Sequence, residues 1–213
     1  VCGRREDMLN LLRTEHPRIQ TIQCDVAGQS ERETLVQQVM DKFPSLNVLV
    51  NNAGIQRRVD LNRTESWDDA RSEIVINLEA PIHLSTLFQE RFRPKPHAAI
   101  INVTSGLSFM PLANVPIYCA TKVALHSFPL SLRWQLRESN TDVIEIIPPA
   151  VDTDLQAPGL HKFGVNVDEF ADDVLAQLEK GENEIAYGTA LIASQASRAE
   201  LNEIYEMMNS RFH

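Results

Sequence analysis

The sequence predicts an α/β fold, a parallel sheet with helices on both faces, and three observations predict it. Short apolar, β-branched runs alternate along the chain with longer stretches of helical periodicity, the pattern of βαβ units. Val48-Leu49-Val50 is continuously apolar, as a parallel strand buried on both faces requires. The helical stretches carry their own start signals, with Ser30-x-x-Glu33 and Ser197-x-x-Glu200 as capping-box patterns, and Asp168 as the cap of a segment that Gly181 ends.

The strands are expected near residues 1–3, 19–24, 46–50, 98–103, 143–148 and 183–187. Helices are expected over 66–93 and 112–138, both longer than an open sheet needs, which suits an interface. Pro81 and Pro129 lie inside them, and each removes a backbone donor and should kink its helix. No Pro/Gly/Ser linker divides the chain, so residues 1–213 read as one domain, with 154–167 as its longest irregular connection. Long connections of this kind close over substrates.

With 213 residues, a chain buries roughly 70% of its unfolded surface, and needs no staples. The net charge of −9 argues against a nucleic-acid partner and against an anionic membrane surface, which call for clustered Lys and Arg. No apolar run approaches the roughly 20 residues of a membrane span. Three cysteines, Cys2, Cys24 and Cys119, fit a reducing compartment, so a cytoplasmic location is expected. The six histidines are scattered without ligand spacing, so no metal site is expected.

Two strand ends carry chemistry. Val48-Leu49-Val50 stops on Asn51-Asn52-Ala53-Gly54, at the carboxyl edge where open α/β sheets bind ligands. Taken alone, the same residues read equally as a turn in which Asn and Gly tolerate unusual dihedrals. Ile100-Ile101-Asn102-Val103 ends on the hydroxyls of Thr104 and Ser105, and thirteen residues on comes Tyr118-x-x-x-Lys122, a pair on one helix face. A free phenol titrates near 10, too high for acid/base work at neutral pH. A lysine about 5 Å away at an effective dielectric near 20 favours phenolate by about 3 kcal/mol, which would bring Tyr118 toward neutrality. The bland alternative is a surface Tyr with a Lys stretched over it.

Asn51-Asn52-Ala53-Gly54, Ser105 and Tyr118-x-x-x-Lys122 together resemble, in order and spacing, the short-chain dehydrogenase/reductase family. The resemblance covers essentially the whole chain and implies a Rossmann-type, doubly wound, three-layer sheet. It implies a carbonyl/alcohol oxidoreductase acting on a small molecule, in which Asn77, Ser105, Tyr118 and Lys122 are catalytic. It also implies cofactor contacts from Asp25 and Val26 after the second strand, from Asn52, Ala53 and Gly54, from Tyr118 and Lys122 at the nicotinamide ribose, and from Val151 and Thr153. Arg4, at the end of the first strand, falls where the family reads the cofactor's adenosine ribose. A guanidinium there suits a 2′-phosphate, so NADP is expected ahead of NAD. Pro149 stands where the family's Pro-Gly-x-Val-x-Thr segment has glycine. The Ile146-Ile147-Pro148-Pro149 wording is similar to the DltE-like branch.

The family's first strand and glycine-rich turn are not represented, so a longer natural chain and a gap in the sheet are expected. The resemblance further implies a homodimer or homotetramer. The alternative from another class is a non-catalytic NADP-binding sensor or scaffold, or an inactive fragment. A serine hydrolase is disfavoured, since Ser105 lacks a Gly-x-Ser-x-Gly elbow. Cys119 reads as a small core residue, with a redox-sensing thiol as the alternative.

Overall fold

The computed structural model describes residues 1–63 and 66–210; His213, one of the six histidines, lies outside them. Every strand pairing is parallel. β1 (Cys2–Gly3) pairs with β2 (Ile22–Gln23), while β3 (Val48–Asn51), β4 (Ala98–Val103), β5 (Thr141–Ile147) and β6 (Glu184–Ala186) form a second sheet in that order. Among the described residues no strand joins the two sheets, which is the interruption expected of the doubly wound order.

A shared apolar layer bridges the interruption. Cys24 and Val26, Leu35 and Val36 of α2 (Gln29–Lys42), Ala80, Leu84, Phe88 and Phe92 of α4 (Ala80–Phe92), and Ile100 of β4 form one buried cluster, with Ile22 and Leu49 packed against it. On the opposite face, Ile101, Ile144, Ile146 and Ile185 pack against Val174 of α6 (Val167–Glu179). The alternation of Ile100 and Ile101 between the two clusters is the two-residue period of a strand covered on both sides. α1 (Glu6–Glu15) packs beside β1 and β2.

Some boundaries differ from the expectation. Gly28, not Ser30, caps α2, and Ser30 lies inside the helix, while the Glu31 carboxylate accepts from the Asp25 amide at 2.7 Å. Asn166, not Asp168, caps α6: its Oδ1 accepts from Asp168 and Glu169 N–H, leaving Asp168 in the first turn where its charge meets the helix dipole. The reciprocal box at Ser197 and Glu200 does open α8 (Arg198–Asn209), and Gly181, at φ 80°, ends α6.

The helix expected over 66–93 is three pieces: α3 (Trp67–Ile74), a π-turn (Val75–Glu79) and α4. Pro81 has no N–H for the regular ladder, and the π-turn just ahead of it takes the place of a simple kink. That wide turn buries Asn77. α5 (Pro116–Leu136) starts on Pro116 and runs through the buried Pro129 unbroken. The connection before α6 is tied at its neck by a parallel bridge between Val151 and Val165. α7 (Gly188–Gln195) follows β6.

Candidate active site

The long helix α5 places Tyr118 and Lys122 one turn apart, and both are buried. The Lys122 ammonium stands 5.6 Å from the centre of the Tyr118 ring and donates to the Val103 carbonyl at 2.8 Å. That carbonyl is the last of β4, so the lysine is anchored to the strand end that delivers Ser105. The Ser105 side chain acts on the Tyr118 phenol, lowering its pKa against burial, and accepts from the Leu107 amide at 3.1 Å, capping the short turn Gly106–Ser108.

Asn77 enters from the π-turn. Its Oδ1 accepts from Ile55 N–H at 2.8 Å and its Nδ2 donates to Ile55 C=O at 2.7 Å, so it closes the loop after Asn51-Asn52-Ala53-Gly54 as a strand neighbour would. Nδ2 also reaches Thr121 Oγ1, at 3.3 Å. A Cβ on Gly54 would come within 3.4 Å of Asn77 Oδ1 and 3.8 Å of Lys122 Nζ. Glycine therefore leaves a backbone cradle against the two side chains. Asn77, Ser105, Tyr118, Lys122 and Gly54 thus converge at the carboxyl edge of β3 and β4, where Asn52 and Ala53 lie exposed.

The electrostatics depart from the expectation. Burial pushes the Tyr118 phenol up to about 12; the Ser105 hydrogen bond opposes this and the charges of Cys119 and Glu73 add to it. Burial also lowers Lys122 to about 8. Desolvation of a phenol enclosed in protein dominates, so Tyr118 is not brought to neutrality in this state.

Arg4 and Asp25 meet at the ends of β1 and β2, with Arg4 Nη1 3.7 Å from Asp25 Oδ2. Asp25 also accepts from the Ala27 amide at 3.0 Å, and the buried Val26 gives its carbonyl to Arg32 at 2.7 Å. Val151 and Thr153 stand on the arm of the 154–167 loop, and the Thr153 hydroxyl turns back to Val151 C=O at 3.4 Å. That loop reaches the cluster through Leu155, which packs against Val115, Tyr118 and Cys119. Pro149 packs near Gly188, and Pro148 C=O accepts from Gly106 N–H at 2.8 Å.

Residues 1–162 match the model of the short chain dehydrogenase family. The chain belongs to that family. It is 44% identical over 217 residues to the oxidoreductase DltE of Bacillus subtilis (strain 168), which covers 99% of this chain and 86% of that protein. Over 134 residues it is 31% identical to human 15-hydroxyprostaglandin dehydrogenase [NAD(+)], 62% of this chain and 48% of that one. A short-chain dehydrogenase of Burkholderia cenocepacia J2315, solved with NADP, shares the fold at a TM-score of 0.81 and 24% identity, over 97% of this chain and 84% of that chain. This short-chain dehydrogenase is accordingly an α/β oxidoreductase of the Rossmann type.

Several residues at the site escaped the sequence. Glu73, one turn before Asn77, is fully buried; its Oε1 accepts from Arg57 N–H at 3.3 Å, its Oε2 has no partner, and burial raises it to about 7. Glu145, fully buried on β5, pairs with the partly buried His126 of α5. Their signals were a charge inside Val143-Ile144-Glu145-Ile146-Ile147 and a His at four residues past Lys122. Cys119 is buried, and burial raises its thiol, which suits a core residue. Among the described residues, no three His, Cys, Asp or Glu side chains are grouped to hold a metal.

Proposed function

We propose that this oxidoreductase reduces a small carbonyl compound to its alcohol with NADPH, Tyr118 serving as the acid. The observation that carries this is the buried convergence of Ser105, Tyr118 and Lys122 against the Gly54 cradle. The cradle, bare of any Cβ, fits a nicotinamide ribose lying between Gly54, Asn77 and Lys122. Bound there, the cofactor would supply hydride.

The chain's own residues handle the proton. A phenol held near 12 keeps its proton at neutral pH, which suits donation to the oxygen of a carbonyl undergoing reduction. Ser105, already within hydrogen-bond reach of the phenol, would hold the same oxygen. Lys122 would orient the ribose and stabilise the phenolate left behind; Asn77 and Thr121 would form the polar path along which that proton is replaced. Asp25, Val26, Asn52 and Ala53 would line the adenosine side, and Val151 and Thr153 the carboxamide side.

NADP is favoured over NAD because Arg4 is exposed at the end of β1, beside Asp25. Solved relatives carry NADP or NADPH, including those from Burkholderia cenocepacia and Sphingobium yanoikuyae. A cytoplasmic location is part of the same reading; among the described residues no helix is long and apolar enough to cross a membrane. So is a homodimer or homotetramer, for which α5 shows an exposed stripe of Val123, Leu130 and Trp134.

The high Tyr118 pKa also suits a sensor that binds NADP without turnover. Steady-state NADPH oxidation with a panel of aldehydes and ketones separates the two. In full-length protein, Tyr118→Phe is expected to abolish reduction while NADPH affinity stays within about twofold. A Tyr118→Phe enzyme that still turns over would refute the assignment.

A further inference from the structure

A row of polar side chains crosses the core of the four-stranded sheet. Asn51 on β3, Asn102 on β4 and Glu145 on β5 stand opposite one another in register. Opposed residues in neighbouring strands share a face, so the three side chains form one line. All three are buried, Asn102 and Glu145 completely. Asn51 Nδ2 donates to Asn102 Oδ1 and to Ser85 Oγ, each at 3.0 Å. Polar groups in the middle of a parallel sheet replace apolar area that would have stabilised it, and a carboxylate there must be compensated.

Glu145 is compensated by two side chains. Thr104 Oγ1 donates to its Oε1 at 2.6 Å, and His126 Nδ1 lies 2.9 Å from both carboxylate oxygens. The hydrogen bond to Glu145 is the largest cause raising His126 above its ordinary value; Glu184 from β6 adds to it, and burial and Arg133 oppose it. Phe109 closes over the imidazole, ring centre to ring centre 4.8 Å.

Both partners of Glu145 are chain neighbours of the site. Thr104 immediately precedes Ser105. His126 lies one turn past Lys122 on α5, as Lys122 lies one turn past Tyr118. The strand end Val103-Thr104-Ser105 is held to β5 by backbone, Thr104 N–H donating to Ile146 C=O at 2.9 Å and Gly106 N–H to Pro148 C=O at 2.8 Å. It is tied to α5 by two side-chain links: Lys122 grips the Val103 carbonyl, and Glu145 grips the Thr104 hydroxyl while His126 joins it to α5. Loss of either link leaves Ser105 to the backbone bonds alone, with one less tie to the helix that carries Tyr118.

We propose that Glu145 and His126 are positioning residues, a carboxylate–imidazole clamp that fixes Thr104 and so the position of Ser105 relative to the Tyr118 phenol. This deepens the reading under Proposed function and rests on it. The clamp acts through geometry at the reacting oxygen and touches neither cofactor nor substrate. Its loss should therefore appear in kcat and leave cofactor binding alone.

The test uses the full-length enzyme, with kcat and KM measured separately for carbonyl reduction, NADPH affinity by fluorescence titration and thermal midpoints as a control for folding. Thr104→Val keeps the shape and deletes the hydroxyl; Thr104→Ser restores it. His126→Leu removes one of the two partners of Glu145 and its link to α5, and His126→Gln keeps an N–H that can reach it. Thr104→Val and His126→Leu are expected to lower kcat about tenfold, with NADPH affinity within about twofold of wild type. Thr104→Ser should recover to within about twofold of wild type, and His126→Gln should recover most of the loss. Wild-type kcat in Thr104→Val, a Thr104→Ser enzyme as poor as Thr104→Val, or a loss confined to NADPH affinity would each overturn the clamp while leaving the reaction assigned. A wild-type enzyme without carbonyl reduction would overturn both.

Discussion

At the scale of single residues, burial sets the ionisation of Tyr118. Tyr118 and Lys122 were legible because their spacing puts them on one helix face, but the phenol's ionisation was not, since it depends on how completely the chain encloses it. Glu73 is part of that enclosure. Its folded state holds a proton up to about pH 7, against 4.5 for a free carboxyl, so the wild type binds more protons folded than unfolded between those values. Stability is therefore expected to fall as pH rises through that window, on the order of 3 kcal/mol for a group this buried. Glu73→Gln should flatten the decline in a urea-melt series at several pH values. Above about 7 the Glu73 charge pushes Tyr118 up, so the same substitution should move the phenol's ultraviolet titration to lower pH. On the proposed reading of Arg4, Arg4→Ala should weaken NADPH roughly tenfold and NADH little in paired binding titrations, because only NADPH carries the 2′-phosphate that the guanidinium would meet.

At the scale of elements, the patterns that worked were those set by local chemistry. The Ser197 and Glu200 box and the Gly181 terminus formed because every group they need lies within four residues. Gly28 displaced Ser30 as a cap because Glu31 was drawn to the Asp25 amide, and the π-turn at Val75–Glu79 answers to Pro81 and to the burial of Asn77, which periodicity does not encode. The loop over 154–167 was legible as a long connection, but its neck was not. There Gly164 packs against backbone: a Cβ would lie 2.6 Å from Val151 C and 2.8 Å from Ala150 O and Asp152 N. These atoms cannot swing aside as a side chain would. Gly164→Ala should therefore open the Val151–Val165 bridge, lower stability by about 1–3 kcal/mol and expose residues 153–163 to limited proteolysis. Leu155 would lose its seat against Tyr118, so the KM for substrate should rise with it.

At the scale of the whole molecule, alternation of strand and helix made parallel pairing legible, while the strand order and its interruption were legible only through the family resemblance, since alternation does not fix which strands are neighbours. The polar row under β4 was not legible, since a single Glu within an apolar strand gives no hint of which strands will flank it. Surface was legible only as helix length. α5 presents Val123, Leu130 and Trp134 on one side, at spacings of seven and four residues, and Trp134 is 71% exposed. Arg137 covers part of that indole at 4.7 Å. An apolar stripe along a long helix can pair with its own copy about a two-fold axis, the commonest symmetry of homo-oligomers. Leu130, half-exposed at the middle of the stripe, makes no demand on the core, so Leu130→Asp should leave the thermal unfolding of the protomer nearly unchanged. Placed at the centre of a two-fold contact, the same substitution would set two carboxylates against each other. Light scattering on the full-length protein should then show an oligomer for wild type and a monomer for Leu130→Asp, and an unchanged mass in the variant would exclude this face as the contact.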